Sequence, residues 1–224
     1  MKNRALAVLM LVAAAICQAP SADAAAILYL DDGVTPTIIG DNQSGDVNTA
    51  VGAITYIGGL GDWSLNVSTG VSKPILGSAS FPVMDLNSIN IGFGTLKIAL
   101  LDDGFSTADR YFRSTIDGNT FDSIGMISAI AGVAGSASQP FELNSIHYFD
   151  AFFGPGSFSG TGIGNAALTP SDLLFLGVTI TSFDPSTTSF DFHTAAQVPE
   201  PGTLALLASG LLGFAVFGRR HIRK

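Results

Sequence analysis

The stretch that decides the fold is Trp63-Ser64-Leu65-Asn66-Val67-Ser68. Large apolar side chains alternate here with small polar ones, which is the two-residue period of a β-strand that buries one face. The pattern predicts that Trp63, Leu65 and Val67 face the core. Shorter apolar or alternating runs recur on both sides of this strand.

About nine short strands can be read from such runs. The run at residues 173–180 is nearly all apolar, which indicates a central strand that is buried on both faces. Residues 124–137 are rich in Ile, Ala and Gly and fit either a buried strand or a short helix. The other runs lie at residues 27–30, 54–57, 84–91, 96–101, 145–153 and 189–193.

Turn and loop signals separate these runs. Residues 40–50 are too polar to bury, and residues 154–164 are so rich in glycine that they predict a loop or an irregular edge. Asp117-Gly118 predicts a two-residue hairpin turn. With many turns and no amphipathic helical pattern, the sequence predicts an all-β fold, an antiparallel β-sandwich or jelly-roll-like body.

The N-terminus has the features of a secretory signal peptide. A basic start is followed by an apolar core at residues 5–16 and by small residues at Ala22 and Ala24. Signal peptidase is therefore expected to cleave after Ala24 and to remove residues 1–24. The chain is predicted to be exported.

The one cysteine of the chain lies inside this signal peptide. Cys17 follows Ile16, whereas a lipoprotein cysteine follows a small residue, so we do not expect lipidation. The mature chain would then contain no cysteine. This excludes disulfides, thiol catalysis and cysteine metal sites.

The body between the two ends, residues 25–197, is strongly acidic. It keeps four of the ten Lys and Arg residues and 16 of the 18 Asp and Glu residues, a formal charge of −12. Such a surface repels nucleic acid and anionic membranes. It is compatible with cations or with solubility outside the cell.

The C-terminus combines three features in order. Pro199-Glu200-Pro201 is followed by an uncharged run of 15 residues, 203–217, and then by a basic tail at 219–224. A helix of this length spans about 22 Å, against a hydrocarbon core of about 30 Å, so it is a marginal membrane span. The basic tail opposes translocation, which predicts a transmembrane helix with the body on the far side of the membrane. The tail residues are Arg219, Arg220, Arg223 and Lys224.

Residues 198–224 resemble the sorting signal of the PEP-CTERM proteins, a Pro-Glu-Pro motif with a hydrophobic helix and a basic tail. The resemblance implies an exosortase, a membrane protease-transpeptidase of Gram-negative bacteria that make exopolysaccharide, which would recognise Pro199, Glu200 and Pro201. It implies inner-membrane anchoring with a periplasmic body, then transfer to the outer surface or the extracellular matrix. Residues 61–90 are more loosely similar to bodies of the same family, which implies no activity.

Calcium is the cofactor that the body's residues suit best, because hard cations take oxygen ligands. The candidates lie at predicted turns, but they lack the spacing of a calcium-binding loop and also fit a purely geometric role in Asp-Gly turns. They are Asp31, Asp32, Asp102, Asp103, Asp117 and Asn119.

No catalytic motif stands out in the body. His147 and His193 are its only histidines, there is no Gly-x-Ser-x-Gly elbow, and two histidines without cysteine make a poor zinc site. Glu142 is the only glutamate of the body, whereas glycoside hydrolysis needs two carboxyls at a set separation. The sequence therefore predicts a non-enzymatic protein. The alternatives are a carbohydrate-binding or calcium-dependent adhesive module that presents aromatic residues between Phe149 and Phe158, and, less favoured, a hydrolase.

Overall fold

A computed structural model describes residues 26–121, 125–142 and 145–197. Within these ranges the chain forms eleven strands, all paired antiparallel, and no helix, which confirms the predicted all-β class. The strands are β1 (Ile27–Asp31), β2 (Thr37–Gly40), β3 (Ala53–Leu60), β4 (Trp63–Val71), β5 (Gly77–Ser78), β6 (Phe81–Asp102), β7 (Thr107–Thr120), β8 (Met126–Ala134), β9 (Ile146–Phe153), β10 (Gly156–Leu168) and β11 (Leu173–Ala196).

Two long strands, β6 of 22 residues and β11 of 24, pair along most of their length and hold the molecule together. At one end they are flanked by β1 and β2 beside β6, and by β8 and β9 beside β11. We call this the β1 half. At the other end they are flanked by β4 and β3 beside β6, and by β7 and β10 beside β11. We call this the β4 half.

The two halves face each other across one core. The register of β6 and β11 shifts between Ser182 and Ser186, where the long strands pass from one half to the other. Phe149 of the β1 half lies with its ring centroid 5.6 Å from that of Phe192 in the β4 half. Gly70 of the β4 half likewise lies against Leu100 of the β1 half. The body is thus a sandwich whose two layers share their central strands.

Several predictions about strands are confirmed. Trp63 and Leu65 are buried as the alternation indicated, while the side chain of Val67 lies outside the described part. Residues 126–134 of the ambiguous segment form a strand, β8. The run at 173–180 is a central strand between β6 and β8. The predicted strands at 84–91 and 96–101 join into the single strand β6.

The glycine-rich segment at 154–164 was predicted as a loop or an irregular edge. Residues 156–168 form β10, which pairs only with β7 among the described strands and lies at the edge of the sheet, so the loop alternative is wrong and the edge alternative agrees with the structure. Alternate glycines of β10 face the aromatic strand β9 and let it approach closely. A Cβ atom would lie 2.8 Å from Phe153 at Gly160, 2.4 Å from Phe149 at Gly162 and 2.4 Å from Tyr148 at Gly164. Glycine here makes room for the rings of Phe153 and Phe149 and for the Cβ and backbone of Tyr148.

The hairpin turn predicted at Asp117-Gly118 is also wrong, since both residues lie inside β7. The reason is again close packing. A Cβ atom at Gly118 would lie 2.3 Å from the ring of Phe158 and 2.4 Å from the carbonyl oxygen of Ser189.

The predicted signal peptide, residues 1–24, and the sorting signal, residues 198–224, both lie outside the described residues. In the part of the chain that the structure describes, no helix has the length and hydropathy to cross a membrane.

Candidate functional site

The outer face of the β4 half carries a row of polar side chains that crosses five neighbouring strands. Each member lies directly opposite the next in the strand register. We call this set the polar row: Thr69 on β4, Asn87 on β6, Asp191 on β11, Asp117 on β7 and Ser159 on β10. Thr69 is half-buried and the other four are exposed.

Three members of the polar row, Asn87, Asp191 and Asp117, line an open groove of about 450 Å³. Ser189 and the exposed Ile89 line the groove next to the row, and Ile91 is exposed two residues further along β6. The groove therefore combines carboxylate, amide and hydroxyl groups with a small apolar margin.

Charges around Asp191 interact. Partial burial among its neighbours raises the pKa of the Asp191 carboxyl, and the charges of Asp85 and Asp117 and a hydrogen bond with Asp85 raise it further, while His193 opposes the shift. His193 Nδ1 lies 3.6 Å from the Asp85 carboxylate. The Asp191 carboxyl thus holds its proton more readily than an isolated one.

Sequence reasoning missed the polar row, although a signal existed. In the runs at 84–91 and 189–193, the inward face is carried by Met84, Leu86, Phe190 and Phe192. The outward positions of these runs carry Asp85, Asn87, Asp191 and His193. Neighbouring strands with polar outward phases place such side chains side by side, but only the register shows which ones meet.

A second concave site lies on the β1 half, between the turn after β1 and the segment after β8. It encloses about 300 Å³. The Tyr29 hydroxyl donates to Asp31 at 3.1 Å, and Lys97 Nζ lies 3.6 Å from the same carboxylate. Burial and the Asp31 carboxylate raise the pKa of Tyr29 to about 12. Phe141 and Glu142 complete the wall.

The predicted calcium ligands lie at separate places. Asp31 belongs to the second concave site described above, and Asp32 accepts a hydrogen bond from the Val34 amide. Asp117 lies in the polar row, whereas Asn119 donates to Ser157 at 2.8 Å. Among the described residues, no three His, Cys, Asp or Glu side chains lie close enough together to hold a metal ion.

Of the last two calcium candidates, Asp102 belongs to a buried ion pair with Lys73, and Asp103 contributes only its backbone carbonyl. Asp102 accepts from Lys73 Nζ at 2.7 Å and from the Ser72 hydroxyl at 2.6 Å. Lys73 also donates to the Asp103 carbonyl and lies over the Phe105 ring, 4.3 Å from its centroid. Burial raises the pKa of Asp102, and the bonds from Lys73 and Ser72 oppose this shift. Lys73 already occupies the position that a cation would take.

The aromatic residues predicted to face a polysaccharide are mostly inside the protein. Phe149 and Phe158 are only 6% and 8% exposed, and Phe153 stacks on Phe158 with ring centroids 4.9 Å apart. Phe152, at 69% exposure, is the member of this segment that reaches solvent. The segment is therefore mainly a core element, and the prediction that it displays a binding surface is wrong.

His147 occupies a peripheral position. Its Nδ1 lies 3.3 Å from Asp150, and its ring packs edge-on against Phe175. The nearest approach to a nucleophile elbow, residues 156–160, lies within β10. The non-enzymatic character of the protein stays a prediction.

Comparison with known proteins identifies the C-terminal tail. The profile of the PEP-CTERM protein-sorting motif matches residues 197–220, which confirms the resemblance seen in the sequence. The chain therefore carries a sorting motif of exported proteins that pass through a membrane, and this motif supports exosortase-dependent sorting. A search of curated proteins found no match.

Among solved structures, the chain is similar to several small domains at low identity. One is the N-terminal cellulose-binding domain of β-1,4-glucanase C from Cellulomonas fimi, with 13% identity, 66% of this chain and 90% of that chain covered, and a TM-score of 0.34. Another is TmCBM61 in complex with β-1,4-galactotriose, with 8% identity, coverage of 62% and 92%, and a TM-score of 0.33. A third is CBM4, with 10% identity, coverage of 50% and 84%, and a TM-score of 0.33. Likeness at this level assigns no ligand to the present chain.

Proposed function

We propose that this chain is an exported cell-surface or extracellular-matrix protein that an exosortase processes through its C-terminal signal. The observation that carries the proposal is the sorting motif at residues 197–220. The body, residues 25–197, performs no reaction of its own and associates with exopolysaccharide. Its acidic, cysteine-free composition suits an extracellular protein whose stability does not depend on disulfides.

The proposed route has three stages. Signal peptidase removes residues 1–24 during export. The helix at about 203–217 then holds the protein in the inner membrane, with the body in the periplasm and the basic tail in the cytoplasm. Exosortase finally acts at Pro199-Glu200-Pro201, and the body reaches the outer surface or the extracellular space.

The body is proposed to be a jelly-roll-like variant of the sandwich. The support is that β6 and β11 run through both layers, so that each layer has the same central pair and different flanking strands.

Replacing Pro199, Glu200 and Pro201 together by alanine tests the sorting proposal in a host that has an exosortase. The variant is expected to accumulate as a longer, membrane-bound form. Immunoblotting of membrane and medium fractions measures the size and location of the protein. Pro155→Ala, at an exposed position between β9 and β10, is the matched control and should be processed like wild type. Unchanged processing of the triple variant would contradict the proposal.

A second candidate function for the body is a carbohydrate-binding or calcium-dependent adhesive module. The observation that favours it is the polar row, which has four exposed members and of which Asn87, Asp191 and Asp117 line an open groove on one sheet face. A calcium-dependent module would lose polysaccharide binding in the presence of a chelator. Polysaccharide binding that is unaffected by chelator would exclude the calcium-dependent module and support a carbohydrate-binding module without calcium.

A further inference from the structure

The polar row is laid out for a ligand that extends across the strands. Its five members follow one another on adjacent strands, and strands in a sheet lie about 4.7–4.9 Å apart, so the row is about 19 Å long. This strand spacing is close to the length of one pyranose unit in a linear polysaccharide. A glycan chain lying along the row would therefore place about one sugar unit over each strand.

The side chains of the row suit a ligand rich in hydroxyl groups. Asp117 and Asp191 accept hydrogen bonds, Asn87 both donates and accepts, and the hydroxyls of Thr69 and Ser159 do either. Hydrogen bonds to ionised carboxylates are stronger than bonds between neutral groups. Sugar hydroxyls both donate and accept, so they can form hydrogen bonds with all five members of the row.

The charge of the row selects among glycans. It contains two carboxylates and no Lys or Arg, and the nearest basic side chain on the face, His193, is engaged with Asp85. A uronate polymer or a nucleic acid would meet repulsion here. The apolar margin formed by Ile89 and Ile91 offers contact to the C–H faces of sugar rings.

A peptide is a poorer fit for this position. Extended peptides usually add to a sheet edge, where backbone groups are free, whereas four of the five strands of the row, all except β10, are paired on both sides. On this face a partner can therefore contact the side chains of these strands but not free backbone groups.

We propose that the polar row is the binding site of a neutral linear glycan, which lies across the five strands. The inference rests on the carbohydrate-binding candidate and gives it a site and a ligand class. It is independent of the sorting signal.

Affinity electrophoresis of the protein purified from an exporting host tests the inference. The gels contain hydroxyethylcellulose, galactan, mannan or dextran as neutral glycans, alginate as an anionic polymer, and chitosan as a cationic one. At least one neutral glycan is expected to retard the protein, and alginate is not. No retardation by any neutral glycan, or retardation by chitosan or alginate alone, would overturn the proposal.

Variants then assign the binding to the row. Asn87→Ala and Asp191→Ala should each weaken retardation about tenfold or more, the effect of losing one strong hydrogen-bonding group. Asp184→Asn removes an exposed charge from the same strand, β11, outside the row and should bind like wild type. Near-native unfolding midpoints show that the variants fold. Unchanged retardation of both row variants would show that the polar row is not the binding site, even if the protein binds a glycan.

Failure of this test leaves the sorting proposal standing. Processing by exosortase is read from protein size and location, and glycan binding is read from mobility in the gel.

Discussion

The outer faces of the two halves differ, although β6 and β11 run through both. On the β1 half the outer face is apolar and covered, with Phe141 of the segment after β8 lying over Tyr29 and Phe175 at ring-centroid distances of 6.1 and 6.4 Å. On the β4 half the corresponding face presents the polar row to solvent. Both faces of the sheet are thus packed in the β1 half, whereas the outer face of the β4 half is open to solvent.

The residue pattern along β11 changes with this division. Residues 174–178 are all buried, which matches a strand between two apolar surfaces. Beyond the register shift, residues 186–196 alternate between buried and more exposed positions. The comparison teaches that a single strand can supply packing at one end and a candidate binding surface at the other.

Phe175→Ala tests the packing side of the comparison and should have the largest effect. Phe175 is fully buried beneath Phe141, and its truncation leaves a cavity, so we expect a loss of about 3–5 kcal/mol in the free energy of unfolding. Urea denaturation measures the change. Phe183→Ala on the same strand is the control, because this side chain is exposed and should cost less than about 0.5 kcal/mol. Equal losses in both variants would refute the view that the β1 half has a second packed face.

Lys73→Met tests the connection between the halves. Lys73 follows β4, Asp102 ends β6 in the β1 half, and both side chains are almost fully buried, at 1% and 0% exposure. Removing the lysine leaves a buried carboxylate without its partner, so we expect a loss of about 3–5 kcal/mol. The double variant Lys73→Met/Asp102→Leu should recover much of that loss, because it removes both charges. A double variant less stable than either single one would show that the pair itself is strongly stabilising.

Gly162→Ala tests the packing of β10 on β9 and should have an intermediate effect. The added Cβ would meet the ring of Phe149 at 2.4 Å, so the ring must shift, and overpacking of this kind costs about 1–3 kcal/mol. Gly154→Ala is the control, since nothing lies within 4 Å of the corresponding Cβ position. Thermal unfolding followed by circular dichroism compares the two. A neutral Gly162→Ala would mean that β9 can move away from β10 at little cost.

The sequence predicted the fold class because alternation and turn signals are local. Trp63 and Leu65 point inward as their period indicates, and the Asp-Gly pairs at 32–33 and 103–104 fall at strand ends, with positive φ at Gly33 and Gly104. The sorting signal was equally readable, because its three parts are contiguous.

Features that depend on distant partners could not be read in the same way. Gly160, Gly162 and Gly164 occur at every second position, a period that indicates a strand, but only the close approach of β9 explains why glycine is required there. The polar row needs the registers of five strands, which the local sequence does not determine. Phe149 and Phe158 were expected at the surface, but Phe149 packs against Phe192 and Phe158 against Phe153, contacts between strands that the local sequence does not show.

Asp191→Asn tests the exposed side of the comparison and should have the smallest effect on stability. Because the pKa of Asp191 is raised in the folded state, the folded protein binds the proton more readily than the unfolded chain, and stability falls as the pH rises through that pKa. Asparagine removes this loss, so the variant should be more stable than wild type at neutral pH and no more stable at acid pH. The gain should be about 0.2–1 kcal/mol, since the group is largely solvated. Thermal melts between about pH 4 and about pH 8, a range that covers ordinary Asp and His titration, measure it. Asp184→Asn, on the same strand but away from Asp85 and Asp117, should show no such pH-dependent gain, and an equal gain there would assign the effect to the overall negative charge of the body rather than to the carboxyls that meet on this face.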